Sequence, residues 1–196
     1  MEARMADHIT SPSRVSLVTL GRYYRLRAIV AAAWVAAAFV IAPSNTLVAS
    51  VLLVLYPAWD AFANARDAQA NGGFRANAPQ AVNTAVSAVT ALAVLVALQI
   101  DMRLVLVLFG VWAVVAGLLQ LIAGARRWRV YGAQWAMVLS GAQSALAGGF
   151  FVSRAAGPAA EPVITVIAPY AAFGAFYFLV SAILLAVKTR RRAGPA

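Results

Sequence analysis

Asp60 and Asn64 stand four residues apart in a long apolar run, and Gln120 and Gln143 sit in two others. On a helix, side chains four apart share a face, so the Asp60 carboxylate and the Asn64 carboxamide stack one turn apart. These four are the candidate functional groups inside the apolar part of the chain. Ser87, Thr84, Thr90, Ser140 and Ser144 are smaller polar groups in similar settings. The chemistry open to such a set is narrow. A carboxylate can take up a proton or hold a cation, and amides can bond a polar solute or tie helices together. Pro57 precedes Asp60 by three residues and frees the Leu53 carbonyl, one turn above, from its helical hydrogen bond.

Other chemistries are excluded by what is missing. There are no cysteines, which rules out disulfides, thiolate metal sites and Cys nucleophiles. The single histidine, His8, lies in the polar N-terminal stretch, so neither a His-rich metal site nor a Ser-His-Asp triad can be assembled. No phosphate-cradling loop or paired-carboxylate site is present. Asp101 and Glu161 lie at the ends of apolar runs on the other side from most of the basic residues, near Arg103 and Arg154 respectively. The expectation is a protein without catalytic residues, cofactor or metal.

The elements that position the polar groups follow from hydropathy. Of 196 residues, 63% are hydrophobic and 11% charged, too apolar for a water-soluble core of this size. The clearest stretch is 104–125, which has no charged residue and is closed by Arg126, Arg127 and Arg129. As a helix it is roughly 33 Å long, enough to cross a bilayer. Similar runs predict an all-α polytopic membrane protein with six spans, at about 23–41, 46–65, 81–100, 104–125, 132–152 and 163–187. They form three consecutive helical hairpins. Residues 1–22 are a polar tail with a helix start at Ser11-Pro12, 15–27 being either a short interfacial helix or the snorkelling lower end of the first span, and 188–196 are a basic tail. Residues 66–80 are read as a polar loop. A secretory signal ending at Ala42-Pro43-Ser44 is the rival for the first span. Its leading region of about 25 residues is too long for that, so cleavage is not expected.

Charge sets the orientation. The net charge of +10 is carried in clusters at the ends of spans, not in a polar domain, so no nucleic-acid partner is expected. Fourteen of the sixteen Lys and Arg residues fall on one side, leaving only Arg103 and Arg154 on the other. This predicts that both termini are cytoplasmic. The basic clusters would also attract anionic lipid. Asp60 then lies roughly 21 Å from the outer end of its span. Two readings of it stay open: a proton- or ion-responsive group, or a carboxylate that snorkels toward basic ends such as Arg66. Its depth favours snorkelling.

The even-numbered spans share a pattern: Tyr56, Trp112 and Tyr177, each followed at i+4 and i+5 by small or polar residues. All three enter from the same side, so the weak repeats are parallel and allow a pseudo-threefold axis along the membrane normal. Gly110, Gly117 and Gly124 form a seven-residue series, and Gly141 with Gly148 and Gly149 forms a second stripe. Small residues permit the close backbone approach that drives helix association in lipid, so these are read as packing positions.

The segments LFGVWAVVAGLLQLIAGARRW, SGAQSALAGGFFV and AFYFLVSAILLAVKTRRR resemble the HdeD-like acid-resistance membrane proteins. The resemblance covers roughly 85–190, and more loosely 26–66, through Gly, aromatic and aliphatic spacings. It implies a six-span protein of the bacterial cytoplasmic (inner) membrane, linked to acid stress and without known catalytic residues. Those proteins often carry Asp-Gly at the repeat position. Here it is Asp60-Ala61 in one copy and Ala116-Gly117 in the next, so only one copy supplies the acid. The leading expectation is a non-catalytic bundle acting in acid or envelope stress, in a homo-oligomer or with another membrane protein. A small transporter or channel built on Asp60 and an accessory subunit of a larger complex are the alternatives.

Overall fold

The computed structural model describes residues 14–131, 134–157 and 163–191. They form six helices: α1 (Arg14–Val40), α2 (Thr46–Ala70), α3 (Ala78–Ala97), α4 (Met102–Tyr131), α5 (Trp135–Ala155) and α6 (Val163–Arg191). All six are long and apolar enough to cross a membrane, and no strand occurs among the described residues. The chain is an all-α, multi-pass membrane protein.

Local sequence explains the boundaries. A 3₁₀ turn at Ala42–Ser44, with Pro43 near its start, separates α1 from α2. The Asn45 side chain then caps α2 by accepting from Val48 N at 3.0 Å. Between α2 and α3 the chain reverses through Gly72 and Gly73, at φ 96° and 85°, a region other residues rarely adopt. The Asn77 amide pins this turn by donating to the Asn71 and Gly73 carbonyls at 2.7 and 3.0 Å. Asp101 Oδ1 accepts from Arg103 N at 2.8 Å where α4 begins.

Several boundaries differ from the expectation, among them the end of α4, which runs on to Tyr131 instead of stopping at 125. Helix α1 already runs at Arg14, so of the two readings of 15–27 the segment is the lower end of the first span and not a separate interfacial helix. Helix α2 continues past Ala65 to Ala70, and α3 starts at Ala78. The supposed loop is thereby shortened to a turn. The Ser11-Pro12 start, His8, Gly132, Glu161 and the tail from Arg192 lie outside the described residues.

The outside of the bundle is as apolar as its core, which holds Leu53, Val94, Phe109 and Phe151 together with a few polar groups. Ile29, Leu47, Val89, Leu92 and Leu146 are exposed, whereas Asp60, Asp67, Asn83, Ser87 and Ser181 are buried. Lipid is the solvent that makes this arrangement favourable, since it accepts leucine and rejects carboxylates.

The helices follow one another round a ring, and α6 closes on α1. The most extensive contacts are α4 with α5, α1 with α6, and α2 with α3. The tightest pairs therefore fall between the consecutive hairpins that start at α1, α3 and α5, not within them. Each tight pair contains one even-numbered helix, in keeping with the parallel repeat. The third copy is out of register, however. Tyr56 and Trp112 meet edge to face at 5.6 Å, and the α6 ring that joins them is Tyr170, not Tyr177.

The glycine stripes are the seam of the α4/α5 pair. Gly110 faces Gly148, Gly117 faces Gly141, and Gly124 faces Val138. A Cβ on Gly117 would lie 2.6 Å from the Gly141 carbonyl oxygen. Gly149 corrects the expectation: no heavy atom lies within 4 Å of where its Cβ would be, so it packs against nothing.

Candidate functional site

Helix α2 supplies the acids. Asp60, Asn64, Asp67 and Asn71 follow each other at steps of four, three and four along one helix face, and Asp60, Asn64 and Asp67 are buried. Asp60 Oδ1 accepts from Arg27 Nη2 of α1. Its Oδ2 accepts from Asn64 Nδ2 at 3.0 Å, Asn83 Nδ2 at 3.0 Å and Ser87 Oγ at 2.9 Å. Ser87 Oγ in turn accepts from Trp112 Nε1 at 2.9 Å. An indole only donates, so the single Ser87 hydroxyl proton is committed to Asp60. Residues from three helices thus replace water around one carboxylate, with Trp112 of α4 bonded behind Ser87.

Asp67 repeats the motif two turns nearer the basic end. It accepts from Arg127 Nη2 of α4, from Gln80 Nε2 at 3.3 Å and from Asn71 Nδ2 at 3.0 Å. Two guanidinium–carboxylate pairs therefore stand one above the other inside the bundle, and their charges balance.

Asp60 does meet an arginine of the basic end, but it does so inside the bundle. The residue is only 8% exposed, and its partner is Arg27 rather than the exposed Arg66. Asp67 and Gln80 lie on helices, not in a loop, and are 4% and 6% exposed. Arg27 and Arg127 serve the interior, although the sequence placed them among the topology signals. The signal that would have found Asp67 is the polar spacing itself, which runs on through Asp67 and Asn71 after hydropathy falls.

The ion pairs border a cavity of about 90 Å³ to which all six helices contribute. Asp60, Asn64, Gln120 and Gln143 all line it. Gln120 also ties α4 to α5, donating to the Met137 carbonyl at 3.3 Å. Such a volume has room for several waters. Aromatic rings complete the wall, among them Tyr56, Trp59, Trp112, Tyr170 and Tyr177.

Away from the basic end the chamber stops at packed rings. Tyr56 contacts Trp34 at 4.8 Å, Trp112 at 5.6 Å, Tyr170 at 6.2 Å and Phe109 at 6.3 Å between centroids. Trp34 Nε1 donates to the Leu52 carbonyl at 2.8 Å, next to the Leu53 carbonyl that Pro57 frees. Ser144 Oγ donates to the Ala113 carbonyl at 2.9 Å, so at 2.8 Å it accepts from the Tyr170 hydroxyl. At the opposite end of the bundle a second cavity, of about 350 Å³, reaches down to Leu53 and Leu106 beneath Asp101, Arg103 and Arg154. The two cavities approach from opposite ends with the aromatic layer between them.

Among the described residues, two buried polar atoms beside Asp60 have no hydrogen-bond partner: Arg27 Nε, a donor, and Asn83 Oδ1, an acceptor. Ser181 Oγ is a third such atom, and it is not in the chamber wall. Among the described residues no cluster of three or more His, Cys, Asp or Glu exists that would hold a metal ion.

Ser87→Ala tests the hydrogen-bond chain. It leaves the Trp112 N–H unmatched and removes one donor from Asp60, an expected loss of about 1–3 kcal/mol. The check is a lower thermal unfolding midpoint in detergent. Set beside known proteins, the chain matches no family model, no curated protein and no solved structure, so its chamber must be interpreted from its own residues.

Proposed function

We propose that the protein is a non-catalytic, multi-pass carrier of a small polar solute, with the chamber around Asp60 as its binding site. The observation that carries this reading is a cavity inside an apolar bundle that holds two charge-balanced ion pairs, separated by a ring layer from a second cavity at the other end. A purely architectural bundle has no need of buried ion pairs, which are costly to place in a membrane. The accessory-subunit reading is weaker, because the glycine faces of α4 and α5 are used against each other. On charge asymmetry the basic end is assigned to the cytoplasm, with both termini there. The bacterial inner membrane and an acid- or envelope-stress setting, implied by the HdeD-like resemblance, complete the proposal.

The absence of cysteine makes the test clean, since an introduced thiol is then the only one. Gln120→Cys lines the chamber, and Leu92→Cys lies on the exposed face of α3. Vesicles bearing each variant are assayed for uptake of a panel of small ions and polar solutes, before and after treatment with a bulky maleimide. Modification at 120 is expected to cut uptake at least tenfold and modification at 92 to leave it unchanged. Equal uptake by treated and untreated Gln120→Cys vesicles, with labelling complete, would reject the chamber as the route.

A further inference from the structure

We propose that the chamber takes a small carboxylate together with one proton, the carboxylate replacing Asp60 on Arg27 and the proton passing to Asp60. This rests on the carrier reading above and names its substrate class.

The first argument is the shape of the Arg27 site. Nε and Nη2 form one edge of a guanidinium, the two-pronged edge that a carboxylate engages with both oxygens. Asp60 uses one prong only. Its Oδ1 meets Nη2, and its Oδ2 is turned to Asn64, Asn83 and Ser87. Nε is left buried without a partner. A free carboxylate that is not tethered to α2 can occupy both prongs.

The second argument is charge. Arg27 and Arg127 balance Asp60 and Asp67, and an added unpaired charge in such surroundings is strongly unfavourable. A cation that displaced Arg27 from Asp60 would leave the chamber one positive charge in excess, because arginine does not give up its proton. An anion that displaces Asp60 from Arg27 meets no such obstacle, because a carboxylate accepts a proton. When R–COOH enters, its proton moves to Asp60 and R–COO⁻ pairs with Arg27. One O–H bond breaks, one forms, and the net charge stays at zero.

The third argument is where the new O–H points. Every present side-chain partner of Asp60 is a donor, so a protonated Asp60 needs an acceptor. Asn83 already touches Asp60, and its Oδ1 is the buried acceptor without a partner. Turning that amide over presents the oxygen to the new proton. The two unmatched atoms at this carboxylate are thus the two that the proton-loaded, substrate-bound state requires.

The other ionisable groups around the chamber do not compete for these roles. On α1 the others are Tyr23, whose hydroxyl accepts from Arg27 at 2.9 Å, and Tyr24, whose hydroxyl donates to Gln134. On α2 they are Tyr56 and Asp67, the latter held by Arg127 of α4. Helices α3 and α5 present only neutral polar groups to the cavity, and α6 adds Tyr170 and Tyr177. The cationic end of the bundle concentrates anions at the mouth, and the aromatic walls accommodate a short apolar tail.

The test is calorimetric titration of the purified protein with lactate in two buffers of different ionisation enthalpy, alongside lactate uptake by vesicles. The wild type is expected to take up one proton per lactate bound. Asp60→Asn is expected to bind lactate with no proton uptake and with an affinity independent of pH. Arg27→Lys keeps a cation for Asp60 but lacks the two-pronged edge, and is expected to bind at least tenfold more weakly. Proton-independent binding by the wild type, or unchanged affinity in Arg27→Lys, would overturn the proposal. Vesicles that carry methylammonium and not lactate would retain the carrier reading and reject the carboxylate. If neither solute binds or moves, both fall.

Discussion

Asp60→Ala is expected to destabilise the protein by about 3–5 kcal/mol, the cost of leaving one member of a buried ion pair without the other. The Arg27 side chain is 12% exposed and that of Asp60 11%, so little water is at hand to replace either partner. Removing the acid also strips Asn64, Asn83 and Ser87 of the oxygen they share. Arg27→Leu should be costly for the mirror-image reason, an unpaired carboxylate. The double variant removes both charges, and the chamber has room for water to meet the three remaining donors. It should therefore recover a large part of the loss, which a double-mutant cycle reports as a coupling of opposite sign to the two single effects. The measurement is the unfolding midpoint of each variant in one detergent, read by circular dichroism. Asp60→Asn, which keeps an acceptor oxygen beside Arg27, should fall between wild type and Asp60→Ala. A midpoint for Asp60→Ala equal to that of wild type would mean that Asp60 is hydrated at the interface, and the chamber would lose its centre.

The contrast between what the sequence makes legible and what it hides turns on helix rotation. Six spans follow from the length of the apolar runs, because lipid demands that length and little else supplies it. Asp60, Asn64, Gln120 and Gln143 stand out because polar groups in such runs are costly, and all four line one cavity. Their partners do not stand out in this way. Arg27 and Arg127 lie where arginines ordinarily mark a membrane boundary, so counting them for orientation conceals that two turn inward. Asp67 and Gln80 are masked by a different effect. Hydropathy falls after Ala65, but nothing stops the helix until Gly72, and a polar helix end facing the bundle is indistinguishable from a loop by composition. The pairing of α1 with α6 depends on which side of each helix turns inward. Outside their basic cytoplasm-side ends these two helices are apolar nearly all round, at 28–40 and 163–187, and there their hydropathy carries little record of it. The glycine seam is the exception, since a seven-residue spacing specifies a stripe, although the reading also drew in Gly149, which lies off it.

Gly148→Ala and Gly149→Ala should give opposite results, although the two residues are adjacent. A methyl on Gly148 meets the Gly110 carbonyl oxygen below contact distance, and Val114 N at 2.8 Å. Both are backbone atoms of α4, so no side chain can swing aside. Relief requires α4 and α5 to separate, which also lengthens the Gly117–Gly141 approach one turn pair away, where a Cβ on Gly141 would lie 2.7 Å from the Gly117 oxygen. Lipid offers no hydrophobic drive to hold the pair together, so the lost close packing is the main attraction forfeited. Overpacking of this kind costs about 1–3 kcal/mol, and more where backbone must move. Gly149 points away from the seam into open space. There alanine only improves the helix, by up to about 1 kcal/mol. Thermal unfolding in detergent is expected to show a lower midpoint for Gly148→Ala and an equal or higher one for Gly149→Ala. The α4/α5 seam also sets where Gln120, Ser140 and Ser144 stand in the chamber wall. Gly148→Ala should therefore impair solute uptake even below its unfolding temperature, and Gly149→Ala should not. Identical behaviour of the two variants would place the seam elsewhere on α5 and remove the wall it is argued to position.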